Sequence, residues 1–100
     1  MRVQTETVQF KADKKLLDFI DNKMSKLDQF FDRIIDAQVY LKLENSGQVK
    51  DKIAEIKLNV PGDTLIAKES SKAFESSIDA AIDVLKRQLD KYKEKMRERH

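Results

Sequence analysis

Alternation of apolar and polar residues dominates the centre of the chain. In "IIDAQVYLKLE" the apolar residues of one face are Ile35, Ala37, Val39, Leu41 and Leu43. In "DKIAEIKLNV" they are Ala54, Ile56, Leu58 and Val60, and in "TLIAKE" they are Leu65 and Ala67. A period of two predicts three strands, each of which buries one face only. The segments "NSGQ" and "PGD" predict turns, in which Gly47 and Gly62 are free to adopt positive φ.

The ends of the chain add one strand and two helices. "VQTETVQF" predicts a first strand, although the parity of its apolar residues changes after Val3, as at a bulge or at a strand end near Glu6. Two stripes at helical spacing follow. The first contains Leu16, Leu17, Ile20, Met24, Leu27, Phe30 and Phe31, and the second contains Phe74, Ile78, Ala81, Ile82, Leu85 and Leu89, extended thinly by Tyr92 and Met96. We expect Asp13 to cap the first helix, Arg33 to end it, and Ser70 or Ser71 to cap the second.

The predicted order is therefore β-α-β-β-β-α, in the α+β class, within a single domain of residues 1–100. The first helix is a crossover, so the first two strands should be parallel neighbours, and the later strands should form a meander. Because each strand is apolar on one face, we expect a two-layer sandwich: a four-stranded mixed sheet with both helices on one face. We expect about residues 93–100 to form a basic helical tail with little to bury, which frays at its end.

Composition narrows the function classes. The 100 residues include no Cys, which excludes disulfides, thiolate catalysis and Cys-based zinc sites. No segment approaches the ~20 apolar residues of a membrane span, and the N-terminus lacks the apolar run of a signal peptide, so we expect a cytoplasmic protein without a membrane partner. The single His is the last residue, His100, and both glycines lie in predicted turns. The sequence thus predicts no enzyme, metal site, cofactor or small-molecule substrate.

Charge is unevenly distributed within a formal net charge of +2. Residues 84–100 hold seven Lys or Arg and three Asp or Glu, against 13 and 15 in residues 1–83. One interpretation of this basic segment is that the helix dipole favours cations at a helix C-terminus, but that effect reaches only the last turn. The other interpretation is that the segment contacts a polyanion. The basic rows contain Lys23 and Lys26 in the first helix, and Arg87, Lys91 and Lys95 beside Lys86, Lys93 and Arg97 in the second. Helices lying side by side would join these rows into a band that neutralises phosphates.

Three stretches resemble the short ribosome hibernation-promoting factors, the family that includes ribosome-associated inhibitor A. They are "KMSKLDQFFDRIIDAQVYLKLE", "LNVPGDTLIAKE" and "SIDAAIDVLKRQLDKYKEK", and the resemblance runs essentially from end to end. It implies the same sandwich fold and a cytoplasmic protein of stress and stationary phase that binds the 30S subunit and the 70S ribosome at 16S rRNA. Such proteins occupy the path of mRNA and the anticodon ends of tRNA, so translation stops by steric exclusion.

The resemblance also implies contact residues. Carried over position by position, the rRNA-binding residues are Lys23, Lys26, Arg87 and Lys91, to which the charge pattern adds Lys86, Lys93 and Lys95. Many members open the second helix with Asp-Met-Tyr, where this chain has Ala73, Phe74 and Glu75. A tyrosine contact at that site is therefore not carried over. Longer members carry a C-terminal dimerisation domain. Because this sequence ends at His100, we expect no ribosome pairing by that route and a monomer off the ribosome.

Two other function classes stay open. A general double-stranded RNA-binding module also packs helices on one face of a sheet. It recognises A-form RNA with basic residues at the start of its last helix, where this chain has only Lys72. A protein-interaction module would use the open face of the sheet. The second strand places there Asp36, Gln38, Tyr40 and Lys42. Their mixed charge is more typical of a solvated surface than of a binding hot spot.

Overall fold

The elements of the chain follow the predicted order. The computed structural model describes residues 1–46 and 49–98. The elements are β1 (Arg2–Val8), α1 (Lys14–Phe30), β2 (Asp36–Ser46), β3 (Val49–Val60), β4 (Asp63–Ser71) and α2 (Phe74–Glu98). The four strands lie in the sheet order β1-β2-β3-β4. β1 pairs with β2 in parallel, and the other two pairs are antiparallel, which confirms the predicted crossover and meander.

Both helices pack on one face of the sheet, as the one-sided strands predicted. The alternating residues of the central strands, such as Val39, Ile56 and Leu58, are fully buried in a single cluster with Leu27 of α1 and Leu85 of α2. Removing this apolar surface from water stabilises the two layers by about 25 cal/mol per Å². The opposite face of the sheet carries the polar residues of the same strands, so the helix layer and the open sheet face differ in chemistry.

The change of parity in the first strand is resolved at Gln9. β1 pairs with β2 in unbroken register along its whole length, so no bulge interrupts it. Gln9 then adopts φ 69°, a left-handed conformation that is uncommon for a residue with a Cβ. After this turn Phe10 packs against the core, where its ring stacks on Phe74 with a centroid distance of 4.7 Å.

The start of α1 agrees with the prediction, but its end does not. The Asp13 carboxylate accepts a hydrogen bond of 2.8 Å from the Leu16 amide, as expected of an N-cap. α1 ends at Phe30, and Phe31 is already extended, so the prediction that Arg33 ends the helix was wrong. The Phe31 ring packs edge-on against Tyr92 of α2 at a centroid distance of 5.6 Å, a contact that favours leaving the helix early.

The predicted cap of α2 at Ser70 or Ser71 was also wrong. Both serines belong to β4, where Ser71 pairs with Lys52 of β3, and this strand pairing keeps them extended. β4 is correspondingly longer than "TLIAKE". Ser71 still contributes to the helix start, because its hydroxyl accepts from the Ala73 amide at 3.3 Å. The buried Ser77 hydroxyl lies 2.9 Å from that of Ser71 and donates to the Lys52 carbonyl at 2.6 Å, which ties the first turn of α2 to β3.

The predicted inward face of β2 is correct except at its first position. Ala37, Val39 and Leu41 are buried, whereas Ile35 is 57% exposed. β2 begins at Asp36, so Ile35 lies in the connection from α1, and the neighbouring Ile34 occupies the core position instead.

The two predicted turns have different outcomes. Gly62 adopts φ 78°, the value that the second central position of a type II turn requires after Pro61. In "NSGQ", Asn45 and Ser46 are paired in β2, and Gly47 and Gln48 lie outside the described residues.

The two helices run in the same direction and give the molecule a long axis. Its Cα extents are 52 × 26 × 17 Å, and α2 alone contains 25 residues, or about 37 Å of helix. Lys23 contacts Asp79 near the start of α2, and Phe30 contacts Lys93 near its end, so the C-terminal ends of both helices lie together. Neither helix in the described ranges 1–46 and 49–98 is both long and apolar enough to cross a bilayer.

Candidate nucleic-acid interface

The basic residues collect at the end of the molecule where α1 and α2 both finish. Residues 84–98 contain six Lys or Arg and three Asp or Glu, whereas residues 74–83 contain three Asp or Glu and no Lys or Arg. Because the helices are parallel, the end of α1 and the following Arg33 join this half of α2. The helix layer is therefore polarised along the long axis, with its cations concentrated at what we call the cationic end.

The groove between the helices contains both signs of charge. It is lined by Lys23 and Lys26 of α1 and by Asp79, Asp83 and Lys86 of α2. The Lys23 ammonium lies 3.1 Å from Asp79 Oδ1 in a half-exposed ion pair. It also lies 5.3 Å from the centroid of the Phe19 ring, within range of a cation–π interaction. Lys23 is therefore held in place with its charge partly neutralised, whereas Lys26 is exposed.

Further along the same side of α2, two lysines surround the exposed ring of Phe30. The Lys86 and Lys93 ammonium groups lie 5.8 Å and 4.1 Å from its centroid. Lys93 also donates a hydrogen bond of 3.2 Å to the Phe30 carbonyl, in the last turn of α1. A cation there offsets the negative end of the helix dipole. Both lysines are half-buried, so their first role is to join the two helices.

The remaining predicted residues lie on the other side of α2. Lys91 and Lys95 line a groove with Asp63 and Leu65 of β4. Arg87 is exposed, one turn before Lys91. The two predicted rows of α2 therefore lie beside different elements, one beside α1 and one beside β4, and they do not join into the predicted band. The reason is helical geometry, because residues five apart, such as Lys86 and Lys91, point about 140° away from each other.

One groove at the cationic end was not predicted from the sequence. It is lined by Phe31, Arg33, Lys93, Met96 and Arg97. Arg33 and Arg97 are both exposed, and neither was among the expected contact residues. The charge pattern showed Arg97 in a basic row of α2, but its proximity to Arg33 follows only from the parallel packing of the helices.

The features that the alternative functions would need are weak in the structure. Lys72 is exposed before α2, but the cations cluster at the opposite end of that helix, unlike the arrangement expected of a double-stranded RNA-binding module. On the open sheet face, polar residues bond to one another: Tyr40 donates to Gln38 at 2.8 Å, and Asn59 donates to Asp36. Among residues 1–46 and 49–98, no three His, Cys, Asp or Glu side chains group as metal ligands.

The fold and this charge distribution define a small two-layer α+β protein whose helix layer concentrates its cations at one end. The chain belongs to the sigma 54 modulation protein / S30EA ribosomal protein family, whose model matches residues 3–97. This match confirms the resemblance seen in the sequence.

Individual relatives match most of the chain. It is 41% identical over 81 residues to the ribosome hibernation promoting factor of Klebsiella oxytoca, and the match covers 81% of each chain. It is 36% identical over 99 residues to the factor of the same name from Azotobacter vinelandii, covering 99% of this chain and 89% of the relative. A solved ribosomal subunit interface protein from Coxiella burnetii superposes with a TM-score of 0.84 over 93% of this chain and 98% of its own, at 22% identity, which is a likeness of fold.

Proposed function

We propose that this protein is a ribosome hibernation factor that binds 16S rRNA in the mRNA and tRNA channel of the 30S subunit and inhibits translation by steric exclusion. The observation that carries the proposal is the family match along residues 3–97. Relatives at 41% and 36% identity bear the name ribosome hibernation promoting factor, a name that describes no chemical reaction. In this proposal the protein is cytoplasmic and is a monomer off the ribosome.

The helix layer supplies the chemistry that rRNA binding requires. A cation that neutralises a phosphate releases condensed counterions, and this release favours binding at low salt. Lys26, Arg87, Lys91 and Lys95 are exposed and free to reach phosphates. The half-buried Lys23, Lys86 and Lys93 are held by contacts within the protein, so they contribute mainly to the positive potential of the surface.

Steric exclusion requires a body that keeps its shape in the channel. α2 is packed on the sheet from Phe74 to Tyr92, and the Tyr92 hydroxyl donates to the Pro61 carbonyl in the turn between β3 and β4. The domain therefore presents a folded mass with Cα extents of 52 × 26 × 17 Å. No bond is made or broken in this mechanism. Inhibition depends on occupancy alone, so it follows the binding equilibrium.

The proposal is tested by sedimentation of the purified protein with ribosomal particles through sucrose gradients. We expect it to migrate with 30S and 70S particles and not with 50S subunits, and to be released as salt rises. The log–log slope should be about −0.7 to −0.9 per neutralised phosphate. mRNA and initiator tRNA should load less onto occupied 30S subunits. Particles that fail to retain the protein even in dilute buffer would contradict rRNA binding, and particles that retain it while mRNA loads normally would contradict steric exclusion.

Removing the carboxylate beside Lys23 should strengthen ribosome binding. In Asp79→Asn the 3.1 Å ion pair is lost, so no carboxylate at that position offsets the positive charge of Lys23. The variant also removes one of the two carboxylates that would repel phosphates in the groove between the helices. We expect the affinity for 30S subunits to rise by about a few-fold, because the change in binding free energy should be similar to that of one surface ion pair. The measurement is fluorescence anisotropy of labelled protein with 30S subunits.

The matched control for Asp79→Asn is Asp21→Asn. It removes one exposed carboxylate from α1, and Asp21 does not line the groove between the helices. An equal gain in both variants would show that only net charge matters. Unchanged or weaker binding by Asp79→Asn would show that the groove does not face phosphate.

A further inference from the structure

The groove at the cationic end combines apolar surface with positive charge. Phe31 and Met96 form its apolar surface, and Arg33, Lys93 and Arg97 bring three cations to it. No carboxylate lines it among the residues whose side chains the structure describes. The groove between the helices differs, because Asp79 and Asp83 line it together with lysines. The groove at the cationic end therefore favours a ligand that is both negatively charged and apolar or aromatic.

The apolar wall is held in position by contacts beneath it. The Phe31 ring meets Tyr92 edge-on at 5.6 Å, and Tyr92 is buried with its hydroxyl bonded to the Pro61 carbonyl. Met96 is half-buried one turn beyond Tyr92 and supplies a polarisable surface that adapts to planar groups. A wall fixed in this way loses little conformational entropy when a planar ligand packs against it.

The cations divide into one that is engaged and two that are exposed. Lys93 donates to the Phe30 carbonyl at 3.2 Å and lies 5.7 Å from the Phe31 centroid, so it neutralises the negative end of α1 that would otherwise repel an anion. Arg33 and Arg97 are exposed, on the connection after α1 and in the last turn of α2. Guanidinium groups bind phosphate oxygens in bidentate geometry, which favours arginine at such positions.

We propose that this groove binds a single unpaired nucleotide, with its base against Phe31 and Met96 and its phosphate on Arg33 and Arg97. Packing of bases against apolar and aromatic side chains beside a cationic track is the usual way in which proteins bind unpaired strands. The nucleotide belongs either to an RNA strand or to the free nucleotide pool. The inference extends the proposed function, since rRNA would supply the strand on the ribosome.

The test is fluorescence anisotropy of the full chain with a short labelled oligoadenylate RNA and with an abasic strand of the same length. Both strands carry the same phosphates, so their difference isolates the base. We expect wild-type protein to bind oligoadenylate about tenfold more tightly than the abasic strand. Phe31→Leu and, separately, Met96→Gln should reduce this preference. Met96 lies beyond Tyr92, the last buried residue of α2, so Met96→Gln keeps the test informative if Phe31→Leu folds poorly.

The phosphate contacts are tested by Arg33→Gln with Arg97→Gln, which should weaken binding of both strands about tenfold. The matched control is Arg2→Gln with Lys68→Gln, which removes the same charge from exposed positions on the sheet. Displacement of the oligomer by AMP would assign the groove to free nucleotides, and resistance to AMP would assign it to strands. Either result supports a nucleotide groove.

Equal affinity of the wild-type protein for oligoadenylate and abasic strands would overturn the inference, as would an equal loss of binding in the control pair. The assay contains no ribosome, so its failure leaves sedimentation with 30S subunits unaffected. Conversely, loss of sedimentation with the oligomer preference intact would refute only the proposed function.

Discussion

Replacing Arg87 and Lys91 together by alanine lowers the affinity for 30S subunits by an expected 10- to 100-fold and relieves inhibition of translation in vitro. Both side chains are exposed and lie one turn apart on α2, with no ion pair to another residue among the described contacts. Charge-assisted hydrogen bonds to phosphate are among the stronger polar contacts, and each neutralised phosphate also releases counterions. The log–log salt slope should become shallower by about 1.6, which corresponds to two lost phosphate contacts.

The control for this pair is Lys15→Ala with Lys68→Ala. These lysines are also exposed but lie at the start of α1 and on the open sheet face. The control removes the same net charge far from the cationic end, so it should shift 30S affinity only slightly and leave the salt slope unchanged. Inhibition by the Arg87 and Lys91 variant at wild-type strength would show that this side of α2 does not contact rRNA.

Truncating Leu85 to alanine should destabilise the fold by about 3 kcal/mol, a large part of the ~5–15 kcal/mol that holds a small domain together. Leu85 is fully buried in the cluster that α2 shares with the sheet and α1. Its loss removes apolar burial and leaves a cavity between the two layers. Urea unfolding followed by circular dichroism measures the change, and the slope m should stay constant if only stability has changed.

Leu17→Ala is the matched control for Leu85→Ala. It is the same substitution on a helix, but Leu17 is 38% exposed on α1. We expect a loss of about 0.5 kcal/mol or less, as is usual at surface positions. Similar losses in the two variants would contradict the packing of α2 onto the sheet at Leu85.

The strand and helix assignments show how far local pattern reaches. The alternation in β3 predicted the buried Ala54, Ile56, Leu58 and Val60, because a strand with one solvated face must place them on the same side. It did not predict Ile53, which is only 8% exposed although it lies at the opposite parity. The boundaries were less well predicted where long-range contacts decided them. Ser71 remains in β4 because it pairs with Lys52, a residue 19 positions earlier in the chain.

Some features of the candidate site could likewise be predicted from the sequence, and others depended on long-range contacts. The sequence showed that basic residues are concentrated in the second half of α2. It also showed the family resemblance, which the family match confirmed. The contact partners of individual lysines could not be predicted from the sequence. Lys23 pairs with Asp79, and Lys93 bonds to Phe30, across 56 and 63 positions of the chain. These contacts changed which of the predicted residues are free to reach a phosphate.

The sequence by itself determined the order of elements, the buried faces of β2, β3 and β4, and the concentration of basic residues in the second half of α2. Each of these depends on residues a few positions apart, whose relative directions are set by the periods of strand and helix. Only the tertiary structure decided that one basic row of α2 lies beside α1 and the other beside β4, and that Arg33 lies beside Arg97. Those arrangements depend on how α1 and α2 cross the sheet side by side, which is set by the packing of both helices on a shared core.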